Sequence, residues 1–418
     1  MAIISSNFRH ASSRGAKAGL HILVFNCGSS SLSYKIFRTD KRGKPEIFIS
    51  GKAHRVGVKG SKPSFIVYNF KGKTLKDVIP LRTHQEAARL VFDYIRKNNI
   101  KIDLIGNRFV HGGILFDKSA FIDADNLKKL QSCLPLAPIH NPIAMSVIRT
   151  SQSILPEVRQ YAAFDSAFHA ALPPVAYTYP LPGRVVKKFA FRKYGFHGLS
   201  YLDVTGKTAA HLKIPADKLK MIICHLGTGG SSIAAIRRGR SIDTSMGYSP
   251  LTGLVMSTRC GDIDPMLAIY LMTTYGYRPD YLLDMLEKRS GLIGLSGFSS
   301  DLRDIIEKKD KKQAKRAFGM YIHRLKEYLG SYVAVLGGLD ALVFTDDIGV
   351  QNWLVREKVC ENMGWSGIVL DKDKNRAARS DQIVELHAAR SALSILSVPN
   401  DEERIICLEG LKLLERNL

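Results

Sequence analysis

Two arginines stand beside glycine loops in separate parts of the chain: Arg108 in Asn107-Arg108-Phe109-Val110-His111-Gly112-Gly113 and Arg259 in Thr258-Arg259-Cys260-Gly261-Asp262. A guanidinium there can offer its planar fork to a carboxylate or a phosphate. His140 lies between prolines in Leu136-Ala137-Pro138-Ile139-His140-Asn141-Pro142, and His197 between glycines in Tyr194-Gly195-Phe196-His197-Gly198, where backbone can approach a ligand closely. Asp165 closes the run Phe164-Asp165-Ser166 at a predicted strand end. Taken singly, each residue also fits a salt bridge or a buried structural role. Taken together, cationic forks, imidazoles and an acid suit a reaction that spreads negative charge over phosphoryl oxygens.

Two glycine- and serine-rich turns add the groups such an anion needs. Ile22 to Phe25 is a short apolar run that predicts a buried strand. It meets Asn26-Cys27-Gly28-Ser29-Ser30-Ser31 and resumes as Leu32 to Phe37. Roughly 200 residues later the pattern returns: Ile222 to Leu226, then Gly227-Thr228-Gly229-Gly230-Ser231-Ser232, then Ile233 to Ile236. One such turn is ordinary loop chemistry; two at matching positions predict a duplicated domain with one turn from each half facing a shared cleft.

The elements that must hold these residues alternate. Helical spacing of Ala87, Leu90, Val91 and Ile95 predicts a helix over 84–97, followed by a strand over 101–110. A long helix over 314–336, a strand over 341–344, a turn and a helix over 352–363 follow in the second half. Strands alternating with helices imply an α/β fold. With 45% hydrophobic residues in 418, the chain can bury a large core and carry two domains. No apolar run approaches the ~20 residues of a spanning helix, so a soluble protein is expected. Six scattered cysteines without a CxxC pair argue against a zinc site or disulfide framework and fit a reducing cytoplasm. The formal charge of +23 is dispersed rather than striped with aromatics, which disfavours nucleic-acid recognition and suits anionic substrates. Residues 1–20 lack the apolar core of a secretion signal and are expected to be an extension.

The chain resembles the acetate kinase family over about residues 21–416. The resemblance rests on NCGSSSL (26–32), RFVHGG (108–113), LAPIHNP (136–142), FDSAFH (164–169), YGFHGLS (194–200), HLGTGG (225–230), DTSMGYSPLTGL (243–254), TRCGDIDP (258–265) and SGLIGLSGFSSDLRD (290–304). It implies the actin/hexokinase/Hsp70-like (ASKHA) fold, with domain I over 21–167 plus about 404–418, domain II over 168–403, and a homodimer. It assigns Arg108 and Arg259 to the carboxylate and the moving phosphoryl group, His197 to the transition state with His140 in support, and Asp165 to orienting substrate and metal. Val110, Ile139, Phe196 and Pro250 would enclose the acetate methyl. Ser29, Ser30, Ser31, His225, Gly227, Thr228, Gly229 and Gly230 would meet phosphate, and Asn26 and Glu402 would hold Mg²⁺.

Departures from the family pattern gather near the phosphoryl donor. The first hairpin continues Leu32-Ser33 where the family has Leu-Lys, with Lys35 on the same strand face. After the strand 341–344 the family has Thr-Gly-Gly-Ile-Gly-Glu-Asn-Ser; this chain has Thr345-Asp346-Asp347-Ile348-Gly349-Val350-Gln351-Asn352. Either aspartate could cap the next helix, or both could repel a nucleotide. Asp301, Leu302 and Arg303 match the adenine-contacting stretch, and with Asp347 and Gly349 they would serve ATP. The substitutions resemble the pyrophosphate-dependent subgroup of acetate kinases. The expected reaction is therefore Mg²⁺-dependent phosphoryl transfer between acetate and acetyl phosphate, with pyrophosphate as donor. ATP-dependent acetate or propionate kinase is the alternative, and a non-catalytic nucleotide-binding sensor on the same fold is the alternative of another class.

Overall fold

The computed structural model describes residues 19–58, 60 and 62–416. Most of the expected extension, residues 1–18, lies outside the described residues. The chain divides into two compact units, one ending at Phe168 and resuming from Asp401, the other spanning His169–Asn400. Asp401, Glu402 and Glu403 thus belong with the first unit.

The first unit holds β1 (His21–Cys27), β2 (Ser31–Thr39), β3 (Pro45–His54), β4 (Phe65–Phe70), β5 (Lys73–Val78), β6 (Leu104–Phe109), β7 (Ala120–Phe121) and β8 (Gln160–Phe164). They form one sheet in the order β5-β4-β3-β2-β1-β6-β8-β7. β1 pairs antiparallel with β2 and parallel with β6, and β6 pairs parallel with β8. Ile22, Leu23 and Val24 are fully buried because β1 is covered on both faces, which explains its unbroken apolar run. The helix His84–Lys97 packs Ala87, Ala88, Val91, Phe92 and Ile95 inward. Each large side chain so buried contributes roughly 1.5–3 kcal/mol. Thr83 caps that helix by accepting from the Glu86 amide.

The second unit repeats the plan with β9 (Lys220–Leu226), β10 (Ser231–Arg237), β11 (Arg240–Thr244), β12 (Ala341–Thr345), β13 (Val384–Glu385) and β14 (Ser394–Ser397). The sheet order is β11-β10-β9-β12-β14-β13. Its strands β11-β10-β9-β12-β14 match β3-β2-β1-β6-β8 of the first sheet: an antiparallel three-strand meander, then two parallel strands. This is the α/β, actin-like architecture expected. The helix Lys312–Leu336 covers the sheet through Tyr321, Leu325, Leu329 and Tyr332.

One element differs from expectation. Residues 346–351 form a helix, Asp346–Gln351, where a turn was expected before the helix Trp353–Cys360. The chain enters it through Asp346 in the left-handed region, φ +65°, so the change of direction is made by one residue.

Candidate functional site

In the first unit, parallel strands bring three polar residues level at their C-terminal ends, the usual place for a ligand in an open α/β sheet. The register sets Phe25 of β1 beside Asn107 of β6, and Phe109 of β6 beside Phe164 of β8. Asn26, Arg108 and Asp165 follow in line. Arg108 donates from Nε and Nη2 to Asp165 Oδ2 at 3.0 and 2.6 Å, and from Nη1 to Asn26 Oδ1 at 3.0 Å. Glu402 Oε2 lies 3.6 Å from Nη1. Burial works against the guanidinium's charge, but Asp165, Glu402 and Glu403 outweigh it and push its pKa further up. Arg108 is therefore a fixed cation, and Asp165, almost fully enclosed, orients it.

The acids at the start of the helix Glu402–Arg416 complete this network. Asn26 Nδ2 donates to Glu402 Oε2 at 2.9 Å and Glu403 Oε1 at 3.1 Å. Lys35 Nζ reaches Asp401 Oδ1 at 2.7 Å and Glu403 Oε2 at 3.3 Å. Lys35 shares a face of β2 with Ser33 as expected, yet its ammonium is engaged by these two acids. The β1–β2 turn carries Ser29 and Ser30 exposed, is closed by the Gly28 amide donating to Ser31 O at 2.9 Å, and is backed by His84 Nε2, 2.9 Å from Gly28 O.

The donor chemistry here fits a hard divalent cation. Carboxylate oxygens of Glu402 and Glu403 supply its ligands, whereas Asn26 turns its amide nitrogen to them and its Oδ1 to Arg108, so Asn26 would join the set by rotating its amide. No group of three or more His, Cys, Asp or Glu forms a preformed metal cage among the described residues. Mg²⁺ commonly takes one or two carboxylates and completes its shell with water and substrate phosphate.

In the second unit the β9–β10 turn closes in the same way, the Gly227 amide donating to Gly230 O at 3.1 Å. What surrounds it is different. Asp347 accepts from the Thr228 amide at 2.8 Å and from the Thr228 hydroxyl at 2.7 Å. Asp346 Oδ2 lies 3.1 Å from His225 Nε2, and a Cβ at Gly227 would collide with the same oxygen. The two aspartates thus reach across to the glycine turn, and Asp347 Oδ1 also accepts from the Ile348 amide of its own helix at 2.7 Å, while Thr345 begins that helix without a side-chain cap.

His197 precedes the helix Gly198–Leu212 in a left-handed conformation, φ +59°. Its ring stacks on His225 at 4.1 Å, and its Nδ1 lies 2.8 Å from Ser232 Oγ. A Cβ at Gly230 would stand 3.1 Å from Arg259 Nη1 and 3.5 Å from His197 Nε2, so both side chains approach the same corner of the turn. Arg259 meets Pro250 O at 3.5 Å and Met256 Sδ at 3.7 Å, and no carboxylate forms an ion pair with it among the described residues. Burial lowers its pKa, with Glu287 opposing. Asp301 begins the helix Leu302–Glu307 and is paired with Arg303 through Nε at 3.0 Å and Nη2 at 2.5 Å. Leu302 is buried in the core, and Gly349 O accepts from the buried Arg356.

Of the predicted residues, the first unit holds Asn26, Ser29, Ser30, Ser31, Arg108, Val110, Ile139, His140, Asp165 and Glu402, and the second holds the rest. Val110 and Phe196 are buried, while Ile139, His140 and Pro250 are half-buried. Sequence reasoning missed Asp401 and Glu403 as partners of Lys35, and Asp346, Ser200, Tyr201 and Ser232 as partners of the two histidines. The acidic run Asp401-Glu402-Glu403 and the unusual pair Asp346-Asp347 carried a visible signal, the others none.

Residues 21–408 match the model of the Acetokinase family. The chain belongs to that family. Among acetokinase relatives, the acetate kinase of Thermoanaerobacterium thermosaccharolyticum is 39% identical over 406 residues, 95% of this chain and 99% of the relative. The solved acetate kinase from Entamoeba histolytica is 42% identical with a TM-score of 0.84, covering 94% of this chain and all of that one. A propionate kinase from Francisella tularensis subsp. tularensis is 34% identical with a TM-score of 0.85, covering 93% and 98%. No helix among the described residues is long and apolar enough to cross a membrane.

Proposed function

We propose that this acetokinase transfers a phosphoryl group between acetate and a phosphate donor, and that the donor is pyrophosphate. A carboxylate oxygen of acetate attacks phosphorus, the bridging P–O bond of pyrophosphate breaks, and phosphate leaves; the reverse reaction makes acetate and pyrophosphate. Acetate is already ionised at neutral pH and needs no general base. Arg108, oriented by Asp165, and Arg259 bind the carboxylate and the phosphoryl oxygens, His197 donates to the developing charge, and His140 supports it. Ser29–Ser31, Gly229 and Gly230 offer donors to the phosphates. Asn26 and Glu402 would hold Mg²⁺, which neutralises phosphate charge when bound.

The observation that carries the pyrophosphate reading is the pair Asp346 and Asp347 against the glycine turn. A carboxylate ~5 Å from a phosphate costs about 3 kcal/mol at an effective dielectric near ~20, and the longer phosphate chain of a nucleotide meets more of that repulsion than the two phosphates of pyrophosphate. The test is acetyl phosphate formation from acetate with Mg²⁺-pyrophosphate and Mg²⁺-ATP in parallel. Higher kcat/KM with pyrophosphate is expected; higher kcat/KM with ATP refutes the donor assignment.

The same proposal includes a homodimer. The helix Pro265–Tyr275 buries none of its residues, and Met266, Leu267, Ile269, Tyr270 and Tyr275 stand 44–64% exposed, with Tyr281 and Leu283 nearby in sequence at 45% and 50%. An apolar surface of that extent calls for a partner, here a second copy. Light scattering should give twice the chain mass, and Leu267→Asp with Tyr270→Asp should give a monomer. A wild-type monomer at working concentration rejects this.

A further inference from the structure

We propose that Ser232, supplied by Tyr201, is a positioning residue that fixes the proton of His197 on Nε2; the functional consequence rests on the phosphoryl-transfer reading above. Ser232 lies on β10 opposite His225 of β9, is fully buried, and touches both partners: His197 Nδ1 at 2.8 Å and the Tyr201 hydroxyl at 2.6 Å. Tyr201 stands four residues after His197, one helical turn on, with its amide bonded to His197 O at 3.0 Å. The hydroxyl pair is therefore built into the same corner that holds His197 at φ +59°, a backbone state that non-glycine residues seldom adopt and that clusters at functional sites.

Proton order follows from chemistry. Ser232 has one hydroxyl proton and two neighbours. If Tyr201 donates to Ser232, Ser232 donates to His197 Nδ1, and Nε2 must carry the ring proton. The opposite order places the proton on Nδ1 and leaves Nε2 as an acceptor. Nε2 is the nitrogen that shares the Gly230 corner with Arg259. That permanent cation disfavours a second positive charge on the His197 ring. A neutral imidazole can stabilise phosphoryl oxygens there only by donating from Nε2–H. The order in which Tyr201 donates gives that tautomer, since the hydrogen bond at one ring nitrogen fixes the state of the other.

Nitrogen-resolved NMR of the imidazoles, assigned with a His197→Gln control, reads the tautomer directly and needs no turnover. The wild type should show His197 Nε2 protonated and Nδ1 bare at neutral pH. Ser232→Ala should mix the tautomers and lower kcat about fivefold, the equivalent of one neutral hydrogen bond, with KM for acetate unchanged. Ser232→Thr should restore both. Tyr201→Phe should move the spectrum in the same direction, and it decides the matter together with the wild-type spectrum if Ser232→Ala does not fold. A wild-type Nδ1–H tautomer overturns the proposal, as does a Ser232→Ala protein with unchanged tautomer, whatever its activity. A wild type that transfers phosphoryl from no donor rejects the functional reading, and the ring spectrum still decides the tautomer.

Discussion

The turns β1–β2 and β9–β10 have one backbone plan and opposite surroundings. Each follows the first strand of its sheet and closes with a glycine amide bonded three residues ahead. Beside the first, the strand ends hold a network in which Arg108 and Lys35 are matched by Asp165, Asp401, Glu402 and Glu403. Beside the second, Arg259 stands without a carboxylate partner among the described residues, and the nearby acids, Asp346 and Asp347, are spent on the turn itself and on His225. Duplication supplied the frame, and side chains at equivalent strand ends made one half a satisfied ion network and the other a guarded turn with an available cation.

The largest effect that could break this contrast lies in the two arginines. Arg108→Ala and Arg259→Ala should each lower turnover by roughly 10²–10³, as for other lost transition-state donors. Their stabilities should part. Arg108→Ala strands the enclosed Asp165 and should cost about 3–5 kcal/mol in urea unfolding; Arg259→Ala strands no acid and should leave stability nearly unchanged. Equal destabilisation would show that the two cations are held alike.

A smaller effect concerns histidines behind the two sites. His169 is fully buried between Ser241 Oγ at 2.8 Å and Phe196 O at 3.0 Å, and burial lowers its pKa from 6.5 to about 4. Its Nε2 must donate to the carbonyl, so Nδ1 accepts from Ser241. The folded state binds its proton less readily than the unfolded state. Stability is therefore fully present above pH 6.5 and lost as pH falls through 6.5 toward 4, by about 3 kcal/mol. His169→Gln should flatten that slope in denaturant titrations across the window. Burial also lowers His84 behind the first turn, so the same sign is expected there. An unchanged slope in His169→Gln would place the acid sensitivity elsewhere.

The finest test touches the guard itself. Asp346→Gly with Asp347→Gly removes both carboxylates and suits the left-handed φ at 346. The ratio of kcat/KM for ATP over pyrophosphate should rise by roughly a hundredfold, matching the repulsion removed. A ratio that stays put would mean that the aspartates brace the turn without choosing the donor.

Much of this frame was legible in the residues. Apolar runs such as Ile22–Phe25 and Ile222–Leu226 announce strands covered on both faces, and Arg108 and Asp165 could be set at strand ends because the runs stop there. The guard was only half legible. Asp346-Asp347 was visible as an oddity, but its bonds reach Thr228, 119 residues away, and local pattern carries no information over that distance. Ser232 reads as the end of a phosphate-facing turn, whereas it lies buried in β10, and Tyr201 reads as an ordinary helix residue; only the register opposite His225 gives them meaning. The helix Pro265–Tyr275 misleads in another way, since residues apolar all round its axis read as core, whereas this fold leaves them outside.

The Thr228–Asp347 clasp makes the second turn a self-liganded receptor. Any anion arriving at that amide and hydroxyl competes with a tethered carboxylate whose local concentration is set by the fold and does not dilute. Apparent affinity is then the intrinsic affinity reduced by the fraction of time the clasp is open. The clasp thus moves the half-saturating anion concentration upward by a factor set by two hydrogen bonds.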